Sequence, residues 1–184
     1  MKHYLIQHCE RQRVQLQLKE LDIQRNSKDN FVIGTVQKKW LNRIEAGDFD
    51  FVLCSPPCST FSRAPWANLW GPRPIRSFLH PKGFPWLKYS RKLLAQAGNC
   101  LAKFSFDAMK LQLSQENKMA LKEQPEDLGA LKSGPWKCQR PSSMWQFPEH
   151  EHIMALKGVR SAAIFSIRLW DSFSETNQTP VSDF

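Results

Sequence analysis

The string Ser55-Pro56-Pro57-Cys58-Ser59-Thr60-Phe61-Ser62 follows the apolar run Phe49-Asp50-Phe51-Val52-Leu53-Cys54. An apolar strand that stops at two prolines presents the next side chain at its carboxyl end, where ligands bind in α/β sheets. That side chain is the thiol of Cys58, the most nucleophilic group an unmodified protein owns near neutral pH. The bland alternative is a small buried thiol in a proline turn. A carboxylate, Glu123, closes a second short run from Lys118 to Lys122 and opens Glu123-Gln124-Pro125-Glu126-Asp127. Its alternatives are a helix cap or a solvated carboxylate beside Asp127. Glu20 and Asp22 end an earlier run. An acid at the end of an early strand binds ribose hydroxyls in nucleotide-binding sheets, although both also suit a solvated turn.

The five cysteines, Cys9, Cys54, Cys58, Cys100 and Cys138, are odd in number and irregularly spaced, and no apolar signal segment opens the chain. They do not read as a disulfide framework, so the thiols are expected to be reduced and the protein intracellular, the nucleus included. Cys54 and Cys58 lie four apart, and His150-Glu151-His152 offers two imidazoles. No close-spaced pair of ligands is matched by a second such pair, which argues against structural zinc.

The elements that must position these groups follow from periodicity. Residues His3 to Arg13 read as the end of a helix, and Val14-Gln15-Leu16-Gln17-Leu18-Lys19 alternates as a strand does. Val36, Trp40, Leu41 and Ile44 recur at helical spacing before a stop at Gly47. With the strand Phe49 to Cys54, this order predicts a βαβ unit in a parallel sheet. A further helix carries Leu93, Leu94, Ala97, Leu101, Phe104, Ala108 and Leu111 as its apolar stripe. Lys118 to Lys122 reads as a short strand, Pro141-Ser142-Ser143 as a turn opening a short helix, and Ala162 to Leu169 as a last strand. At 184 residues the chain is expected to be one domain over 1–170, with 171–184 a disordered tail.

Net charge of +9 points to a polyanionic partner, most simply nucleic acid, or to a merely basic protein. The distribution is more telling than the total. Between Asp50 and Asp107 there is no Asp or Glu, while Arg63, Arg73, Arg76, Lys82, Lys88, Arg91, Lys92 and Lys103 all fall in that stretch. Its segment 63–92 is dense in Pro, Trp and cations and too apolar for disorder. Arg63, Arg73 and Arg76 are the phosphate-contact candidates beside the thiol. Trp66, Trp70 and Trp86 either stack on exposed bases or cover the sheet.

Strand, Pro56-Pro57-Cys58, Phe61-Ser62, helix, strand and Glu123-x-Pro125, in that order, resemble the cytosine-5 DNA methyltransferases over roughly residues 15–129. The resemblance implies a Rossmann-like α/β methyltransferase sheet, with parallel strands and flanking helices. It makes Cys58 the nucleophile that adds to carbon 6 of cytosine and Glu123 the acid that polarises the ring. It also implies S-adenosylmethionine as methyl donor, with Glu20, Asp22 and Pro56 beside it, and DNA as partner. Gly98-Asn99 would open the helix between the two catalytic strands. Ser59 replaces the family's usual Gln, and Glu123-Gln124-Pro125 keeps only the carboxylate of Glu-Asn-Val. The RNA cytosine-5 methyltransferases, which take their nucleophile from a second Thr-Cys motif, fit less well.

Other family features are missing. No Phe-x-Gly-x-Gly string precedes Glu20, and the first glycine is Gly34. The chain is therefore expected to begin inside the first helix, without the first strand and its cofactor loop. Too few residues follow Gly129 for a full target-recognition domain. The reading is an incomplete, degenerate copy whose methyl transfer is impaired or lost. A non-catalytic basic nucleic-acid-binding remnant of a mobile-element protein is the alternative, and an unstable fragment a third.

Overall fold

A computed structural model of the chain describes residues 2–62, 64–67, 70–125 and 140–161. It is a mixed α/β structure: helices around a small parallel sheet of two strands. The order is α1 (Lys2–Arg11), α2 (Gly34–Glu45), β1 (Phe51–Cys54), α3 (Ala64–Ala67), α4 (Tyr89–Leu113), β2 (Met119–Lys122) and α5 (Pro148–Met154). Short 3-10 turns at Ser59–Phe61 and Met144–Gln146 follow Cys58 and precede α5. Among the described helices, none is long and apolar enough to cross a membrane.

The two strands pair in register, Phe51 with Met119, Val52 with Ala120, Leu53 with Leu121 and Cys54 with Lys122. The ladder extends past both ends, as the Met119 amide donates to the Asp50 carbonyl and the Glu123 amide to the Cys54 carbonyl, each at 3.0 Å. Parallel neighbours require a crossover, and α4 supplies it, packing against β1, β2, α2 and α5. One face of the sheet, with Val52, Cys54 and Ala120, joins a core of Ile44, Phe61, Ala102, Phe106, Met109, Met144, Phe147 and Ile153. The other face leaves Phe51, Leu53, Met119 and Leu121 exposed.

Local chemistry sets the boundaries. α2 ends where Gly47 takes φ +80°, a left-handed value that favours glycine, and its amide reaches the Ile44 carbonyl. Ser143 caps the turn before α5: its hydroxyl accepts from the Trp145 amide while Gln146 Oε1 accepts from the Ser143 amide. At the far end of α4, Gln112 Nε2 donates to the Phe49 carbonyl at 2.9 Å and Gln115 Nε2 to the Ile44 carbonyl at 2.7 Å. The first bond fixes the entry of β1, and the second the end of α2, against the helix that leads to β2.

Three expectations need correction. Val14 to Lys19 is not a strand but exposed irregular chain, with Val14 and Leu18 turned to solvent. Alternation proposes a strand, but a strand needs a paired neighbour, and the described sheet holds only β1 and β2. The parallel crossover is therefore β1–α4–β2 rather than one built from residues 14–54. The expected apolar stripe of α4 holds only in part. Ala108 of that stripe is buried, with Ala95, Gly98, Ala102, Ser105, Phe106, Met109 and Gln112, and Ala97, Leu101, Phe104 and Leu111 are half-buried, whereas Leu93 and Leu94 are exposed. In the first turns, close approach of Arg76 and Thr60 at Gly98 selects small residues, and hydrophobicity alone points to the wrong row there. Gly98 and Asn99 lie well inside α4, not at its start. The expected strand at 162–169 and the tail at 171–184 fall outside the described residues.

Candidate functional site at the strand ends

The carboxyl ends of β1 and β2 lie side by side, so the segments leaving them are neighbours. Ser55, the first residue after β1, donates its hydroxyl hydrogen to Glu123 Oε2 at 2.9 Å. Gln124 Nε2 donates to the Pro56 carbonyl at 3.2 Å and to the Glu123 carbonyl at 2.6 Å. Trp145 Nε1 closes the strip by donating to the Pro125 carbonyl at 2.7 Å. The Ser-Pro-Pro-Cys and Glu-Gln-Pro strings, 68 residues apart in sequence, are thus stitched together. Pro56 sits inside this junction, and Gln124 Oε1 is buried there without a hydrogen-bond partner among the described residues.

Cys58 follows three residues after Ser55, partly exposed and at the head of the 3-10 turn; its carbonyl accepts from the Phe61 amide at 2.8 Å. Phe61 is the anchor of that turn. It is 2 % exposed, meets the Phe147 ring edge-on at 5.8 Å and lies under the Arg76 guanidinium at 3.9 Å. The Phe-Ser tail of the motif therefore has a packing reason as well as the resemblance. Glu123 is exposed, with its carboxylate held by Ser55 alone among the described residues.

Directly behind Glu123 lies a cross-strand pair, Cys54 and Lys122, on the face turned to the core. Lys122 Nζ lies 3.4 Å from the Phe106 ring centroid, with no hydrogen-bond partner among the described residues. Burial lowers its pKa from 10.5 to about 7, partly offset by Cys54. That change corresponds to roughly 4–5 kcal/mol against the charged form, whereas a cation over a ring gains only ~0.5–2 kcal/mol. Desolvation wins, and the amine is half neutral near pH 7. Burial likewise pushes the Cys54 thiol from 9.0 up to about 11, tempered by Lys122. Cys54 is thus an inert core thiol.

The basic candidates separate into different roles. Arg63 lies outside the described residues. Arg73 is exposed, and its carbonyl accepts from Arg91 Nη2 at 3.0 Å. Arg76 is a correction: only 1 % exposed, it cannot reach a phosphate. Its guanidinium donates to Thr60 Oγ1 at 3.1 Å, the Pro81 carbonyl at 2.9 Å, Asn99 Oδ1 at 2.6 Å and the Ala95 carbonyl at 2.9 Å. Burial lowers its pKa from 12.5 to about 10, which still leaves it charged at neutral pH. Arg76 clamps the turn after Cys58 to the 75–84 loop and to α4.

Glu20 and Asp22 are not at a strand end. Glu20 pairs with Arg25, and Asp22 accepts from the Gln24 amide at 2.9 Å within its own turn. As placed, they do not fit the role of ribose ligands for S-adenosylmethionine. Among the described residues no group of three or more His, Cys, Asp or Glu side chains converges as metal ligands do. Sequence reasoning missed Ser55 and Gln124, the two residues that join the loops. Their only signal was adjacency to the two motifs. No family model, no curated protein and no solved structure matches this chain.

Proposed function

We propose that the carboxyl ends of β1 and β2 form the pyrimidine site of a Rossmann-like, cytosine-5 methyltransferase-type domain, with cytosine in DNA as substrate. The supporting observation is the junction itself: thiol-bearing and carboxylate-bearing loops from adjacent parallel strands, held by the Ser55–Glu123 and Gln124–Pro56 hydrogen bonds. Ligand sites in α/β sheets sit at such strand ends. In this reading Cys58 adds as thiolate to ring carbon 6, and the electron pair moves toward carbon 5 and nitrogen 3. The Glu123 carboxyl group relays a proton from solvent to nitrogen 3 as that charge develops. Ser55 holds the Glu123 carboxyl in place before the base arrives. Free thiols at Cys54 and Cys58 suit a reducing, intracellular compartment.

The sulfonium donor that this chemistry takes, S-adenosylmethionine, has no cradle in Glu20 and Asp22 as they lie. Covalent addition is therefore the step assigned to these residues, and methyl transfer by this chain is impaired or absent. The test uses a DNA duplex with pyrimidin-2-one in place of one cytosine, a ring electrophilic enough to trap a thiolate without any methyl donor. The expected result is a protein–DNA adduct that survives denaturation, disappears in Cys58→Ala and forms about 10²-fold more slowly in Glu123→Gln. No adduct, or an adduct that persists in Cys58→Ala, ends this reading.

A further inference from the structure

Residues 75–84, ahead of α4, are not a loose loop. Ser77 and His80 exchange backbone hydrogen bonds at 3.4 and 3.0 Å, and the Phe84 amide returns to the Ile75 carbonyl at 3.0 Å. Arg76 ties this turn from inside to Thr60, Asn99 and the Pro81 carbonyl. Asn99 Nδ2 adds a bond to the Lys82 carbonyl at 2.7 Å. The scaffold is fixed, yet it carries rings outward. Phe84 and Trp86 stack at 4.9 Å with their planes within 10°, and His80 meets both edge-on, at 5.8 and 5.5 Å. Trp86 is nevertheless 63 % exposed, so the indole face turned from Phe84 is open to solvent.

The surroundings are cationic. Lys82, Lys88 and Arg91 are exposed next to these rings in sequence, and Tyr89 is 87 % exposed. No Asp or Glu occurs anywhere from residue 51 to residue 106. Lys82 Nζ lies 5.8 Å from the Phe147 ring centroid and Arg91 Nη2 donates to the Arg73 and Pro74 carbonyls, so both cations are held on the same scaffold. A flat exposed ring on a rigid base, in a segment that carries cations and no acids, is complementary to a polyanion that carries flat rings. A duplex hides its base faces against one another, whereas an unpaired strand offers them.

We infer that the Phe84–Trp86 ring stack, with Lys82, Lys88 and Arg91 close to it in sequence, is a stacking platform for unpaired nucleotides of a nucleic-acid strand. It deepens the DNA reading above by specifying the form of the partner. Through Arg76 it is clamped to the turn that bears Cys58, so a strand held here lies on the scaffold that carries the thiol.

The experiment measures anisotropy of a labelled oligothymidylate and of a duplex of equal length, so its readout is independent of the Cys58 adduct. The single strand is expected to bind at least about tenfold tighter than the duplex. Trp86→Ala should weaken strand binding by about 5- to 100-fold, the span of one base–ring stack. Trp86→Phe should keep most of the affinity, which separates stacking from a folding defect. Lys82→Gln with Lys88→Gln should flatten the salt dependence, by about 0.7 in log K per log salt for each phosphate no longer neutralised. Equal or tighter binding of the duplex, or a Trp86→Ala protein that binds like the parent, overturns the inference.

Discussion

Arg76 shows how one side chain can be misassigned by type and still be indispensable. A cation in a basic loop reads as a phosphate ligand. Buried, with four hydrogen-bonded partners and Phe61 beneath it, Arg76 instead joins the thiol's turn, the 75–84 loop and α4. Arg76→Met strands those acceptors and is expected to cost ~3 kcal/mol or more; Gly98→Ala tests the same spot from the other side. A Cβ at residue 98 would lie 2.7 Å from Arg76 Nη2, so this variant should lose ~1–3 kcal/mol through displacement of the guanidinium. Denaturant melts check both, and a loss under ~0.5 kcal/mol in either would remove Arg76 from this role. Lys122 gives a pH signature. Its folded pKa, about 7, lies below the ordinary 10.5, so the folded state sheds its proton first. The cost of burying it is full below pH 7 and fades as pH rises toward 10.5, making the protein more stable from pH 7 to 9. Cys54, raised from 9.0 to about 11, acts in the opposite direction only above pH 9. Lys122→Met should therefore raise the melting temperature markedly at pH 6 and much less at pH 9. An equal effect at both pH values would contradict the buried-amine account.

At the scale of elements, what could be read from the chain divides by how local the signal is. β1, β2, α2 and α4 are legible, because each is a run of the right period with a stop beside it: Pro56, Glu123, Gly47 and the Ser114–Asn117 turn. The capped turn at Ser143 is legible from side-chain chemistry. The failures are non-local. Val14 to Lys19 alternates as well as any strand, but pairing is decided by a partner that no window of sequence contains. In the first turns of α4 the inward row is chosen by the guanidinium it must admit, and Ala95 and Gly98 win over Leu93 and Leu94 for that reason. The candidate site follows the same division. Cys58 and Glu123 stand out as motif residues, whereas the hydrogen bonds that unite their loops come from Ser55 and Gln124, whose roles exist only after the strands pair. Arg76 is assigned by residue type and charge, and type does not specify burial; Glu20 and Asp22 are assigned by their place after residues 14–19, a strand that does not form.

For the molecule as a whole, the sheet is covered on one side only among the described residues. Phe51 and Leu53, opposite Met119 and Leu121 in register, leave an apolar patch of four large side chains. Parallel sheets are otherwise found buried on both faces. Self-association through this patch is the expected behaviour of the chain in solution. Leu53→Thr combined with Leu121→Thr should lower light scattering at equal concentration and leave the melting temperature within a few degrees. Unchanged scattering with a clear drop in melting temperature would instead place chain of its own on that face.

The crossover has a further consequence during synthesis. β1 is finished at Cys54, but its only described partner begins at Met119, after the Cys58 turn, the ring platform and all of α4 have been made. At ~5–20 residues per second a nascent chain would hold an unpaired apolar strand for several seconds. The loops that carry Cys58 and Glu123 cannot be joined through Ser55 and Gln124 before that interval ends, so the ribosome delivers them as strangers, and chaperones have time to reach the first before the second exists.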